Sequence, residues 1–158
     1  MLSLSDEGIM LRVQVNRGLD GKFQKLENML KDYGQEYVFG MATEIADNSP
    51  VDTGTYMREH NVGTTAVSPT APTTGTPRPP GEGPFGPKQQ SLVQPTVDRL
   101  VAQATPLLDT TARLVFSNGA EHANKVEYDY GYAPYREAAR EHKRIAAEAA
   151  QRAKARNT

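Results

Sequence analysis

The sequence predicts an α+β domain in which long helices near the two ends of the chain flank short β segments. Three observations predict it. Phe23, Leu26, Leu30, Tyr33, Tyr37, Met41 and Ile45 recur at steps of three or four, one stripe of a long helix. An Ala-rich stretch after Pro134 reads as a second helix. Between them lie β-rich runs at 55–67 and 112–117, separated by a segment dense in proline. At 158 residues the chain is read as one domain, 1–158, long enough to bury a core, although only 37% of its residues are hydrophobic. Part of its burial is therefore expected against copies of the same chain.

Taken in order, residues 9–15 (Ile-Met-Leu-Arg-Val-Gln-Val) alternate weakly and predict a short strand or ordered arm, bounded by Asn16-Arg17-Gly18. The first helix is expected from about Asp20, as N-cap, to Asn48. Gly34 and Gly40 lie inside it, each costing about 1 kcal/mol against Ala, so a bend or a close helix contact is expected there. Pro50-Val51-Asp52-Thr53-Gly54 then stops the helix. Pro50 removes a backbone donor, Asp52 can bond its own downstream amides, and Gly54 can take positive φ without steric cost. Residues 55–67 predict a strand or a short turn leading into one.

From Ser68 to Pro87 seven prolines are interleaved with Gly and Thr, a composition that neither packs nor pairs as an interior strand. Residues 68–90 are read as an extended insertion or arm. Helical spacing returns at 91–105 through Val97, Leu100, Val101 and Ala104 and stops at Pro106. Residues 112–117 predict a strand closed by Asn118-Gly119, a dipeptide suited to positive-φ turns. A short helical turn over 120–128 is expected to pack through Ala123, Val126 and Tyr128. Pro134 opens the last helix, to about Ala155; its only large aliphatic residue is Ile145, so it packs through small side chains or lies partly in water.

The chemistry this composition allows is narrow. There is no Cys, and the three His residues are too scattered to form a metal site by spacing, so no metal or cofactor is expected. No glycine-rich phosphate loop follows a strand. Met1–Leu11 carries Asp6 and Glu7 where a signal peptide would need basic residues, and no apolar run approaches the ~20 residues of a membrane span. A cytoplasm-like compartment is expected.

Asp52-Thr53-Gly54 is also the tripeptide that carries the catalytic Asp of aspartic proteases, but there an apolar strand leads in, whereas here a helix and Ser49-Pro50 do. A helix-terminating turn is the better reading, and no catalytic residue is expected. Glu-His doublets at 59–60, 121–122 and 141–142 place adjacent side chains in different directions and make no site by themselves.

Charge is segregated. Residues 136–156 hold seven basic groups against Glu137, Glu141 and Glu148, a local +4 in a chain of net charge −1. Arg136, Arg140, Lys143 and Arg144 lie on overlapping faces and could track the phosphates of DNA. The alternative is a solvated helix laced by Glu148–Arg152 at i,i+4 and by Glu137–Arg140 and Glu141–Arg144 at i,i+3.

The order of parts gives a further expectation. Pro50-Val51-Asp52-Thr53-Gly54 ends a long helix, and about 70 residues later comes Ala123-Asn124-Lys125-Val126-Glu127-Tyr128. Together they resemble the tail-component family of tailed bacteriophages, whose first motif commonly reads Pro-x-Asp-Thr-Gly and whose second reads Tyr-Ala-x-x-x-Glu-aromatic-Gly. His122 stands where the second motif has Tyr, and Asp129 where it has Gly, with Gly131 two places later. The resemblance spans roughly residues 20–135 and leaves the proline-rich segment and basic helix unassigned.

The resemblance implies helices packed on a small antiparallel sheet, and a non-enzymatic virion protein of the neck, assembled in the bacterial host cytoplasm. As a tail-completion or tail-terminating protein it would form a ring of six, meet adjacent neck, stopper or tail-tube proteins, and let DNA pass through without sequence specificity. A DNA-binding accessory protein that uses the basic helix directly is the rival reading.

Overall fold

Helix α1, Arg17–Asp47, is the axis of the molecule. The computed structural model describes residues 3–5, 8–10, 17–50, 54–72, 87–110 and 113–158. Before α1, strands β1 (Ser3–Ser5) and β2 (Gly8–Met10) pair as an antiparallel hairpin. The expected strand over 9–15 is met at its first two residues, and 11–15 lie outside the described residues. After α1 come α2 (Thr55–Arg58), β3 (His60–Gly63), α3 (Pro87–Ala104) with a 3-10 turn at Thr105–Leu107, β4 (Val115–Asn118), α4 (Ala123–Tyr128) and α5 (Pro134–Arg156). The α+β class and the two long terminal helices are as the sequence predicts.

α1 and α5 pack antiparallel, and their charges explain why. Asp32 accepts from Asn157 Nδ2 at 2.7 Å near one end of the contact, and Glu44 meets Arg144 at 3.1 Å toward the other. Between them Glu36, 8% exposed, receives Arg152 at 3.3 Å and also Arg156. An acidic ridge on α1 thus faces the basic helix, so much of the segregated charge is matched inside the chain. Ala138, Ile145, Ala149 and Ala153 are the buried face of α5, the small-residue packing its composition predicts. Gly40 makes this possible: a Cβ there would lie 2.5 Å from Ile145 Cγ2. Gly34 does the same for Leu108, whose Cδ2 would be 3.2 Å from a Cβ. Both glycines serve close contacts.

The core is built of small residues. Val38, Ala42 and Ala46 of α1 meet Met57, Val62 and the α3 residues Val97, Leu100 and Ala104. β3 and β4 pair antiparallel, with His60 opposite Asn118 and Val62 opposite Phe116, and α3 supports them: Gln103 Oε1 accepts from Val62 N at 3.1 Å. A second cluster joins Tyr56, Ala120, Val126 and Tyr132.

Four expectations are corrected. Asp20 lies within α1 rather than capping it, because the helix begins at Arg17. The insertion ends sooner than residue 90, because Pro87, suited by its fixed φ to a first helical turn, already begins α3. Gly119 does not turn the chain through positive φ; its N–H donates to Glu59 O at 3.0 Å, continuing the strand's pairing. Tyr128 is 66% exposed, because the six-residue α4 turns Val126 and Glu127 inward instead.

The predicted stripe of α1 is not the face that forms the core. Of its residues only Ile45 is buried; Tyr33, Tyr37 and Met41 are half-buried, and Phe23, Leu26 and Leu30 are exposed, Leu30 by 60%. Val38, Ala42 and Ala46, outside the stripe, are buried because α3 and α5 pack on their side of the helix. α5 ends near Asp32 and Lys31 pairs with Asp109 at 3.1 Å, so the helix before Leu30, about 20 Å of it, overhangs these contacts.

Candidate functional site

The two motifs meet the fold differently. Pro50 is buried where α1 ends, and Gly54 sits at φ 83 as the N-cap of α2, a left-handed position that explains a glycine there. Asp52 and Thr53 lie outside the described residues. Ser49, just before Pro50, is fully buried.

The second motif builds the start of α5. Gly131 at φ 77 and Ala133 at φ 48 turn the chain into that helix, and Ala133, its N-cap, has no side chain able to cap. Glu127 does so from α4. Its carboxylate accepts from Tyr135 N at 3.2 Å and Arg136 N at 2.9 Å, and pairs with Arg136 Nε at 3.3 Å, while Arg136 Nη2 donates to the Glu127 carbonyl. A carboxylate on two free helical N–H groups at the positive end of the helix dipole is stabilising. Glu127→Ala is expected to cost about 2 kcal/mol, read as a lower denaturation midpoint in urea; a midpoint unchanged from wild type would remove this role. Ala123 packs beside the Tyr56 cluster.

The basic residues named for DNA are largely engaged. Arg136 is held by Glu127, and its guanidinium lies 5.0 Å from the Tyr128 ring centroid. Arg140 pairs with Glu137 at 2.5 Å, and Arg144 with Glu141 at 2.6 Å and Glu148 at 2.9 Å as well as with Glu44. Glu148 lies 3.9 Å from Arg152. All three intrahelical pairs expected from spacing form. Lys143 has no ion pair among the described residues.

Sequence spacing missed the most connected residue, His60. It is 1% exposed and joins four elements. The Ser49 hydroxyl, at the end of α1, donates to Ile45 O at 2.6 Å, so its oxygen accepts from His60 Nε2 at 2.8 Å. That assignment leaves Nδ1 as an acceptor, and two donors converge on it: Tyr135 OH of α5 at 2.6 Å and Asn118 Nδ2 of β4 at 3.1 Å. Asn118 cannot turn over without loss, because Nδ2 also reaches Tyr56 O at 2.8 Å and Oδ1 accepts from Ala120 N at 2.9 Å. Arg99 of α3 donates to the carbonyls of His60 and Met57.

Burial, then the Arg99 charge, lowers the His60 pKa to about 3. Tyr135 is pushed well above the ordinary phenol range by burial and then by Glu127. A Ser-His pair invites comparison with a nucleophile and its base. Here the hydroxyl proton is committed to a helix carbonyl and the oxygen is sealed from solvent, so the arrangement does structural work.

Next to this network lies an open cleft of about 390 Å³, walled by Tyr56, Phe116, Tyr128 and Tyr135 with Val67 and Arg136 among its other lining residues. Tyr56 is 3% exposed, and among the described residues its hydroxyl and His122 Nδ1 have no hydrogen-bond partner; the two rings lie 5.9 Å apart. Burial first, then Tyr135 and Glu127, raises the Tyr56 pKa, so the phenol is a neutral donor at physiological pH.

With this geometry in hand, comparison of the chain with protein-family models, curated proteins and solved structures finds no match.

Proposed function

We propose that this chain is a non-enzymatic structural protein of the bacteriophage neck, a tail-completion or tail-terminating ring that joins head to tail around the DNA channel. The observation that carries the reading is the uncovered stripe Phe23, Leu26 and Leu30 on the overhanging part of α1. A lean, alanine-rich core together with an exposed helix face is what a subunit that completes its burial on neighbours presents. The order of parts supports the phage assignment: a long helix, a left-handed turn at Gly54, a small antiparallel sheet, the Glu127 turn and a terminal helix. The engaged arginines of α5 favour a lumen that lets DNA slide over one that grips it.

Native mass measurement of the purified chain is expected to give a multiple of its 17.3 kDa mass, and particle imaging a ring with a central hole. A monomer at all concentrations, or tight duplex binding that falls steeply with salt, would overturn the reading and, in the second case, favour a DNA-binding accessory protein. The double variant Phe23→Asp, Leu26→Asp is expected to lose the oligomer while keeping the urea midpoint of the monomer fold, because exposed positions usually shift stability by only about 0.5 kcal/mol. Oligomers of unchanged mass in that variant would remove the stripe from the interface.

A further inference from the structure

Two apolar surfaces of this chain have no partner among the described residues. One is the stripe Phe23, Leu26 and Leu30 on the overhanging part of α1. The other is the open cleft of about 390 Å³ whose walls include Val67, Phe116, Tyr128, Tyr135 and Ala139, with Val67 and Tyr128 exposed. They cannot meet within one molecule. The pairs Glu44–Arg144, Glu36–Arg152 and Asp32–Asn157 set the antiparallel register of the two helices, which carries Leu30 past the last turn of α5. Tyr135 and Ala139 of the cleft stand in its first two turns. At 1.5 Å per residue the stripe is about 30 Å from its own cleft.

In a second copy the two surfaces suit each other. Phe23, Leu26 and Leu30 stand at i, i+3 and i+7, the anchor spacing of a helix laid in a groove. The cleft offers aromatic and aliphatic walls, the composition of an interface centre. Charge agrees as well. Of the two charged side chains that line the cleft, Glu127 is buried and spent on the start of α5, which leaves the half-exposed guanidinium of Arg136 as the open charge. Beside the stripe stands Glu27, one turn from both Phe23 and Leu30, exposed and without an ion pair among the described residues.

We propose that the α1 stripe of one copy lies in the aromatic cleft of the next, with Glu27 over Arg136, a head-to-tail contact repeated around the ring. The proposal rests on the ring reading, since it needs adjacent copies, and adds the direction of the contact. A heterologous interface closes into a ring, whereas stripe against stripe would stop at a dimer.

Mixing two defective chains tests it. Phe23→Asp, Leu26→Asp disables the stripe and keeps the cleft; Tyr128→Asp disables the cleft and keeps the stripe. Ala139→Glu, at an exposed cleft position of α5, serves in place of Tyr128→Asp if loss of the Arg136 contact unfolds that variant. Each chain alone is expected to be a monomer by native mass with the urea midpoint of a folded protein. Mixed in equal amounts, a stripe-defective and a cleft-defective chain are expected to form a heterodimer of twice 17.3 kDa and nothing larger, because only one sound stripe and one sound cleft remain. Glu27→Lys in the cleft-defective chain is expected to weaken that heterodimer about tenfold. Cleft variants that assemble as the wild type does, or two folded monomers that stay apart on mixing, overturn the head-to-tail contact and leave the ring reading standing. A wild-type chain that is itself monomeric overturns the ring reading.

Discussion

Gly40→Val is expected to destabilise the fold by about 3 kcal/mol, against the direction helix propensity predicts. In an exposed helix the change from Gly would be favourable by a few tenths of a kcal/mol, since glycine carries the larger backbone entropy. Here a Cβ would stand 2.5 Å from Ile145 Cγ2 and 3.6 Å from Ile145 Cβ. The obstructing atom is a branch directly on Cβ of a buried, β-branched side chain, with no long flexible tail to swing aside. α1 and α5 must separate or Ile145 must leave its rotamer, and overpacking of that kind costs 1–3 kcal/mol or somewhat more. Ile145→Ala alone should cost about 2–4 kcal/mol through the cavity it leaves. Combined with Gly40→Val it should cost clearly less than the two single changes added together, a coupling above about 1 kcal/mol measured by urea denaturation of the four proteins. Additive losses would mean that the two residues do not meet.

How far the fold was legible depends on whether a feature is local. The long helices were, because apolar spacing and an Ala-rich run after Pro134 are written within a few turns of chain. A costly residue inside a helix calls for a reason, so a bend or a close helix contact was expected at Gly34 and Gly40, and only the structure decides for contacts, with Ile145 at Gly40 and Leu108 at Gly34. The pairing of charge across α1 and α5 was half legible. Glu137–Arg140, Glu141–Arg144 and Glu148–Arg152 follow from spacing, whereas Glu36 with Arg152 and Arg156 needs the antiparallel register of two helices more than a hundred residues apart. Phe23, Leu26 and Leu30 continue the same stripe as Tyr33, Tyr37, Met41 and Ile45 in sequence, yet of these only Ile45 is buried. Only the endpoint of α5 decides which part is covered.

The buried network was not legible, for the same reason. Ser49, His60, Asn118 and Tyr135 come from four separate elements, and the Glu59-His60 doublet looked like chance. One signal was present: in β3 the inward register holds His60 and Val62, so a histidine alternates with an apolar residue on the core face. A buried strand histidine must find partners, and a Ser closing a helix and an Asn closing the paired strand are suitable ones. Asp52, which drew attention as a turn residue, lies outside the described residues and receives no structural role.

Acid is expected to weaken this protein through His60, and the sign follows from its two states. Unfolded, the imidazole titrates near 6.5; folded, at about 3, because the ring is buried and Arg99 is near. Between those values the unfolded chain binds more protons, so stability rises with pH across that window. The contribution is fully present above 6.5, falls as pH drops, and is exhausted below about 3. At pH 4.5 the loss is about 3 kcal/mol relative to pH 7.5, at 1.36 kcal/mol per unit. Asp47 opposes it weakly, since partial burial raises its pKa and so favours the folded state slightly as pH falls. Geometry explains why the ring resists protonation: a proton on Nδ1 would face the Asn118 amide hydrogens, and turning that amide would break its bonds to Tyr56 O and Ala120 N. His60→Gln should lower stability at pH 7.5 and flatten the profile between pH 7.5 and 4.5 by about 3 kcal/mol. In the wild-type protein, NMR of the imidazole nitrogens should show a neutral ring protonated at Nε2 throughout that range. An imidazole that titrates near 6.5 in the folded chain, or a variant with the wild-type pH profile, would show that the network does not depend on a neutral histidine.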